Sequence, residues 1–254
     1  MAEPMTASRI IIVFTAGLTA GFINVLAGGG SLMTVPLLMF MGLPAVVANG
    51  TNRIALIFQS SAAILNFKRK GHFDLKFGLL AAIPAAAGAV LGSSLAVRCP
   101  DELFKKIFTV VIILFLFVTM IKRKNSKETV KKEIFSRGKK AVIAAVFFCV
   151  GVYGGFVQGG IGFIIIAALS VLTGFSLVKI NSVKVIVIAV YLVPSIAIFA
   201  VNGKVDWLTG LVLAAGNSAG AVLGSSAAVK KGDSFIKKIL FAALSVIAVK
   251  LIFF

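Results

Sequence analysis

Apolar residues run in long stretches from one end of the chain to the other, and the polar positions gather between them. Five stretches fall at about 9–27, 31–41, 45–67, 75–97 and 103–121, and five more at about 141–158, 161–172, 176–200, 207–229 and 235–254. None shows the strict alternation over about ten residues that a membrane-spanning strand needs, so the pattern predicts helices. A full crossing takes about 20 apolar residues. The second stretch of each set holds only about a dozen, too few to span at about 1.5 Å per residue. Gly28-Gly29-Gly30 precedes the first short stretch, and Gly159-Gly160 with Gly162 marks the second. These segments are predicted to be half-helices in broken or re-entrant elements.

The two sets of five are related. Asp74–Val97 and Asp206–Val229 align without gaps 132 residues apart, and AGAVLGSS stands at both Ala87–Ser94 and Ala219–Ser226. Gly71 and Gly203, Asp101 and Asp233, and Lys105-Lys106 and Lys237-Lys238 keep the same spacing. Gly21-Phe22 matches Gly155-Phe156 at a spacing of 134, and Val47–Arg53 matches Val178–Lys184 at 131. Duplication predicts a first repeat over 1–121, a linker over 122–140 and a second repeat over 141–254. The run Ile10–Ala27 has a counterpart inside the chain, so it is read as a span, not a cleaved leader.

Composition fixes the class. Of 254 residues, 59% are hydrophobic and 13% charged, against roughly a quarter charged in soluble domains; mean hydropathy is +1.08. The expected fold is an all-α polytopic membrane protein, each repeat holding about four transmembrane helices and one half-helix. The net charge of +18 resides in short loops without an aromatic platform, so lipid, not nucleic acid, is the expected partner. The linker 122–140 holds nine Lys/Arg against two Glu and is expected on the cytoplasmic side, together with Lys68-Arg69-Lys70. In the second half the basic residues flank the other loop, at Lys230-Lys231 and Lys237-Lys238. That exchange predicts an inverted repeat with both termini outside. Cys99, Cys149 and His72 have no ligand spacing, so neither metal nor cofactor is expected, and His72 reads as a solvated loop residue.

Every one of the eight acidic residues stands in a loop or at a segment edge, whereas Arg53 and Lys184 lie about 12 Å inside their segments. A cation in the hydrocarbon costs at least about 2.5 kcal/mol and usually marks a pathway. Hydroxyls and amides flank both, at Gly50, Thr51 and Asn52 and at Asn181 and Ser182. Cations without carboxylates describe an anion site; the competing reading is that both side chains snorkel or bond backbone carbonyls. The helix starts after Gly29, Gly30, Ser31 and after Gln158, Gly159, Gly160 add unpaired amides that attract anions. Gly88 and Gly92, with Gly216, Gly220 and Gly224, have small-xxx-small spacing and predict close helix contact, within the chain or in a homodimer. No P-loop, nucleophile–histidine pair or buried carboxylate is present, so catalysis is not expected.

Over nearly its whole length the chain resembles the sulfite exporter TauE/SafE-type permeases. Gly17–Pro36 (GLTAGFINVLAGGGSLMTVP), Gly42, Ala48–Arg53, Gly151–Gly162 (GVYGGFVQGGIG) and Gly216–Ser226 carry the resemblance. It implies a prokaryotic-type inner-membrane permease exporting sulfite or an organosulfonate by secondary transport. A divalent oxyanion would match two positive charges, and alternating access would carry it past the broken segments. Two rivals are an anion channel or uniporter and a non-transporting scaffold.

Overall fold

Carboxylates decide where the helices begin. The computed structural model describes residues 6–120 and 136–253, so the predicted linker lies outside the described residues as far as residue 135. The described helices are α1 (Ala7–Leu26), α2 (Ser31–Phe40), α3 (Ala45–Arg69), α4 (Leu75–Arg98), α5 (Asp101–Met120), α6 (Arg137–Phe156), α7 (Ile161–Thr173), α8 (Leu177–Val201) and α9 (Trp207–Phe253). Asp74 accepts the Phe77 amide at 3.1 Å and Asp206 the Thr209 amide at 3.0 Å, capping α4 and α9. Asp101 reaches from α5 to the Val46 amide at the start of α3, at 2.9 Å. Asp233 does the same for Leu177 and Val178 of α8, at 3.0 and 3.1 Å. Anions at helix starts satisfy orphan N–H groups and the positive pole. That work accounts for acids placed at the edges of apolar segments. The last two predicted stretches are contiguous in α9, which breaks at Gly232 (φ 68, ψ −167), a conformation open to glycine.

The described chain is all-helical, and five helices are long and apolar enough to cross a membrane: α1, α4, α6, α8 and the first part of α9, Trp207–Leu240. It is a multi-pass membrane protein. α3 has the length, at 25 residues, but a polar series through Asn49, Asn52, Arg53 and Gln59 lowers its hydropathy. α2 and α7, with 10 and 13 residues, reach about 15 and 20 Å, short of the roughly 30 Å hydrocarbon core.

The halves interlock. α1 packs along α9 and α4 along α6, while α3 and α8 cross each other between them. Small residues permit this closeness. A Cβ on Gly88 or Gly92 would strike the Phe148 or Val152 carbonyl of α6, and one on Gly216 or Gly220 the Phe14 or Leu18 carbonyl of α1. The glycine faces are therefore filled from within the chain, and a homodimer would have to use another surface.

These contacts also set the register between halves. Leu18 and Phe22 occupy the places of Phe148 and Val152, a spacing of 130, so the sequence match of Gly21 to Gly155 is one helical turn out. On α3 and α8 the capped residues Val46 and Val178 keep a spacing of 132. Arg53 thus stands opposite Val185, and Lys184 opposite Asn52, one residue from the pairing the sequence suggests. Short apolar windows align nearly as well one turn away, which is why the sequence misplaced them.

α3 and α8 run antiparallel. The start of α3 meets the turn after α8, where the Asp206 amide donates to Thr51 Oγ1 at 2.9 Å. The start of α8 meets the turn after α3, where Lys179 pairs with Asp74 at 2.9 Å. One face of the bundle consequently gathers Lys68, Arg69, Lys70, Lys179, Lys230 and Lys231 around the turn after α3.

Candidate functional site at the helix breaks

α1 ends at Leu26 and α2 begins at Ser31; α6 ends at Phe156 and α7 begins at Ile161. The two breaks touch. A Cβ on Gly28 would collide with the Gly162 backbone, and one on Gly162 with Gly28. Four helix ends therefore converge, two C-terminal and two N-terminal. Ser31 Oγ accepts the Gly160 amide at 3.3 Å and donates to the Gln158 carbonyl at 3.5 Å, joining the breaks. Gly29 lies against the Phe163 ring, Gly30 against the Ala20 carbonyl, and Gly159 against Phe108 and Leu32. The amides of Leu32, Met33 and Thr34 turn back to Gly29 and Gly30, leaving those of Gly29, Gly30 and Ser31 without a backbone acceptor among the described residues.

Gln158 takes the place that Gly28 has in the first half. Both have positive φ, 94° at Gly28 and 63° at Gln158, and among the described residues no other non-glycine shares this conformation. A side chain there costs about 1–2 kcal/mol. A relay holds it: Thr34 Oγ1 donates to Asn52 Oδ1 at 2.7 Å, and Asn52 Nδ2 donates to Gln158 Oε1 at 3.4 Å.

Both intramembrane cations are fully buried and bond backbone carbonyls; neither snorkels. Arg53 Nη1 donates to the Gly154 carbonyl at 3.2 Å and to Ser195 Oγ at 2.5 Å, and Nη2 to the Gly155 carbonyl at 2.7 Å. The guanidinium lies 4.2 Å over the Phe199 ring. Lys184 Nζ donates to the carbonyls of Asn24 and Val25 at 2.9 and 2.8 Å and to Asn181 Oδ1 at 2.7 Å. Asn49 and Asn181 each add one bond, to the last carbonyls of α6 and α1, Phe156 at 2.9 Å and Leu26 at 3.2 Å. Each half thus caps the C-terminus of the other half's first helix, where carbonyls lack partners and the dipole is negative.

The match between halves ends there. All three N–H groups of Lys184 are engaged, whereas Arg53 Nε, Gln158 Nε2 and the Tyr191 hydroxyl are buried without a partner. The structure brings Ser31, Asn52, Arg53 and the Gln158–Gly160 turn together. Asn181 and Lys184 sit on the end of α1. Gly50 and Thr51 pack instead on the turn at Lys204–Asp206, and Ser182 bonds the Lys179 carbonyl of its own helix at 2.9 Å. Sequence reasoning missed Thr34, Tyr191 and the bonded pair Ser93 and Ser195, 2.6 Å apart. Tyrosine gave a signal: the chain has two, Tyr191 beside Gly154 and Tyr153 donating to the Gly159 carbonyl.

A multi-pass helical bundle with paired half-helices around a buried polar centre has the build of a membrane transporter. The chain belongs to the sulfite exporter TauE/SafE family, whose pattern it matches over residues 13–251. Its relatives include the "Probable membrane transporter protein ORF9" of Sinorhizobium sp, 31% identical over 96% of this chain and 92% of that one. A "Probable membrane transporter protein" of Haemophilus influenzae is 29% identical over 96% and 94%. The "Probable membrane transporter protein YfcA" of Escherichia coli is 28% identical over 95% and 89%. No solved structure matches the chain.

Proposed function

We propose that the chain is a secondary carrier that exports a small sulfur oxyanion or organosulfonate, sulfite first, across the cytoplasmic membrane. The observation that carries this reading is the surplus of buried donors at the breaks, with no carboxylate beside them among the described residues. Each helix pole is worth about half an elementary charge. Arg53 and Lys184 outweigh the two negative poles they cap, so the positive poles of α2 and α7 and the free donors remain for an anion. Buried donors left unmet cost about 1–3 kcal/mol each, and a substrate oxygen removes that cost. Arg53, Gln158 and the amides of Gly29, Gly30 and Ser31 contact the anion. Lys184 acts through charge and by holding the end of α1.

Antiparallel α3 and α8 support an inverted repeat, in which the two halves rock about the Gly28–Gly162 contact to open alternate faces. The face bearing Lys68-Arg69-Lys70 and Lys230-Lys231 is assigned to the cytoplasm by its positive charge. Flux into proteoliposomes tests the reading. A carrier gives saturable sulfite flux, lost in Arg53→Ala; unsaturable flux would favour a channel, and full flux in Arg53→Ala would remove the site.

A further inference from the structure

Tyr191 is a fully buried side chain at the breaks that neither sequence reasoning nor the proposed site includes, and unlike Thr34, Ser93 and Ser195 it makes no hydrogen bond. It is 0% exposed, and its hydroxyl approaches the Gln158 amide without closing a hydrogen bond. A buried tyrosine hydroxyl ordinarily finds a partner. Its ring end lies against Gly154, where a Cβ would come within 3.3 Å of Cζ, and the Gly154 carbonyl holds Arg53 Nη1. The hydroxyl, Arg53 Nε and Gln158 Nε2 are thus three unpartnered donors from three elements: α8, α3 and the turn before α7.

The first half shows what a closed version of this arrangement looks like. Gln59 holds the position of Tyr191, and Asn24 that of Gly154. Asn24 Nδ2 donates to Gln59 Oε1 at 3.2 Å, so that pair satisfies itself. In the second half glycine removes the partner, and the tyrosine hydroxyl has only the Gln158 amide near it, with no hydrogen bond closed. One crossover is sealed and the other awaits acceptors.

Resting on the anion-carrier reading above, we infer that Tyr191 binds the substrate, and that with Arg53 and Gln158 it selects anions presenting three oxygens on one centre. Sulfite and the sulfonate headgroup share this chemistry, whereas a carboxylate offers two oxygens and a halide one acceptor.

The test uses the full chain, purified for anion-dependent thermal shift and reconstituted for flux, with sulfite, methanesulfonate and acetate as probes. Tyr191→Phe removes only a hydroxyl with no protein partner, so the anion-free melting temperature should hold. The half-saturating concentration for sulfite and methanesulfonate should rise about tenfold, the worth of one hydrogen bond to a charged group, with maximal flux within about twofold. Gln158→Met gives a second, independent reading with the same selective loss. Unchanged half-saturation in Tyr191→Phe, with the parent chain active, overturns the Tyr191 assignment and leaves the carrier reading intact. An equal loss for acetate overturns the three-oxygen selection. A parent chain that neither binds nor moves any of the three overturns both. A shift with sulfite alone narrows the ligand to the inorganic anion; one with methanesulfonate alone narrows it to organosulfonates.

Discussion

The two helix breaks are built alike, a C-terminal end against a glycine-rich turn and a short helix, yet they differ in chemistry. At the end of α1, Lys184 spends all its donors on carbonyls and Asn24 closes on Gln59. At the end of α6, Arg53 performs the same capping with a side chain that has a donor to spare, and Gln158 and Tyr191 stand open. Capping a helix end and meeting an anion are separable tasks. In the proposed carrier Lys184 caps without touching the anion, and Arg53 does both.

Substitutions can break or sharpen that contrast. The largest effect is expected from Arg53→Ala, which removes both the cap on α6 and the charge proposed to face the anion. Charge-assisted bonds are worth about 1.5–3 kcal/mol, so the residual sulfite flux per folded molecule should fall about 100-fold. Lys184→Met comes next: stability should drop by about 2–3 kcal/mol, while the folded fraction binds sulfite with less than about threefold weakening. Equal losses of anion affinity in the two variants would erase the distinction between the breaks. Gln158→Gly restores the residue of the first half and relieves a strained φ. Relief of the strained φ and loss of the bond from Asn52 should offset each other to within about 1 kcal/mol of stability, while sulfite binding weakens about tenfold, as read by melting with and without anion.

The smallest effect lies at the basic face. Burial pushes the Asp74 carboxyl up, but the Lys179 ammonium and the Phe77 amide together hold it below its ordinary value. A depressed folded value means the Asp74–Lys179 pair contributes above the ordinary carboxylate range and fades as pH falls through the folded value. Melting between pH 6 and 8 should therefore be indifferent to it. Asp74→Asn should cost up to about 1 kcal/mol near neutrality and flatten the acid-side loss.

Helix positions were legible in the sequence because the apolar runs are long and their breaks are marked by glycine. The half-helices, the buried Arg53 and Lys184 and the break at Gln158 could be read for the same reason: each violates its surroundings. What could not be read was register and partner. A helix repeats its face every turn, so Gly21 fits Gly151 or Gly155 equally well until α9 and α4 are laid against them. Whether a buried cation faces a ligand or a carbonyl depends on where another helix ends, and Phe156 is 103 residues from Arg53 along the chain. Tyr191 was hidden by company. In an apolar stretch a tyrosine reads as one more aromatic, and only its unmet hydroxyl sets it apart.

The exchange of first helices between halves governs how the chain can be made. α1 leaves the ribosome early but finds its glycine-lined seat only when residues 213–220 of α9 have followed it into the bilayer. Until then its small-residue face has only lipid to lean on. Neither half should survive alone, and two separately synthesised halves should recover a working assembly only when they are produced together.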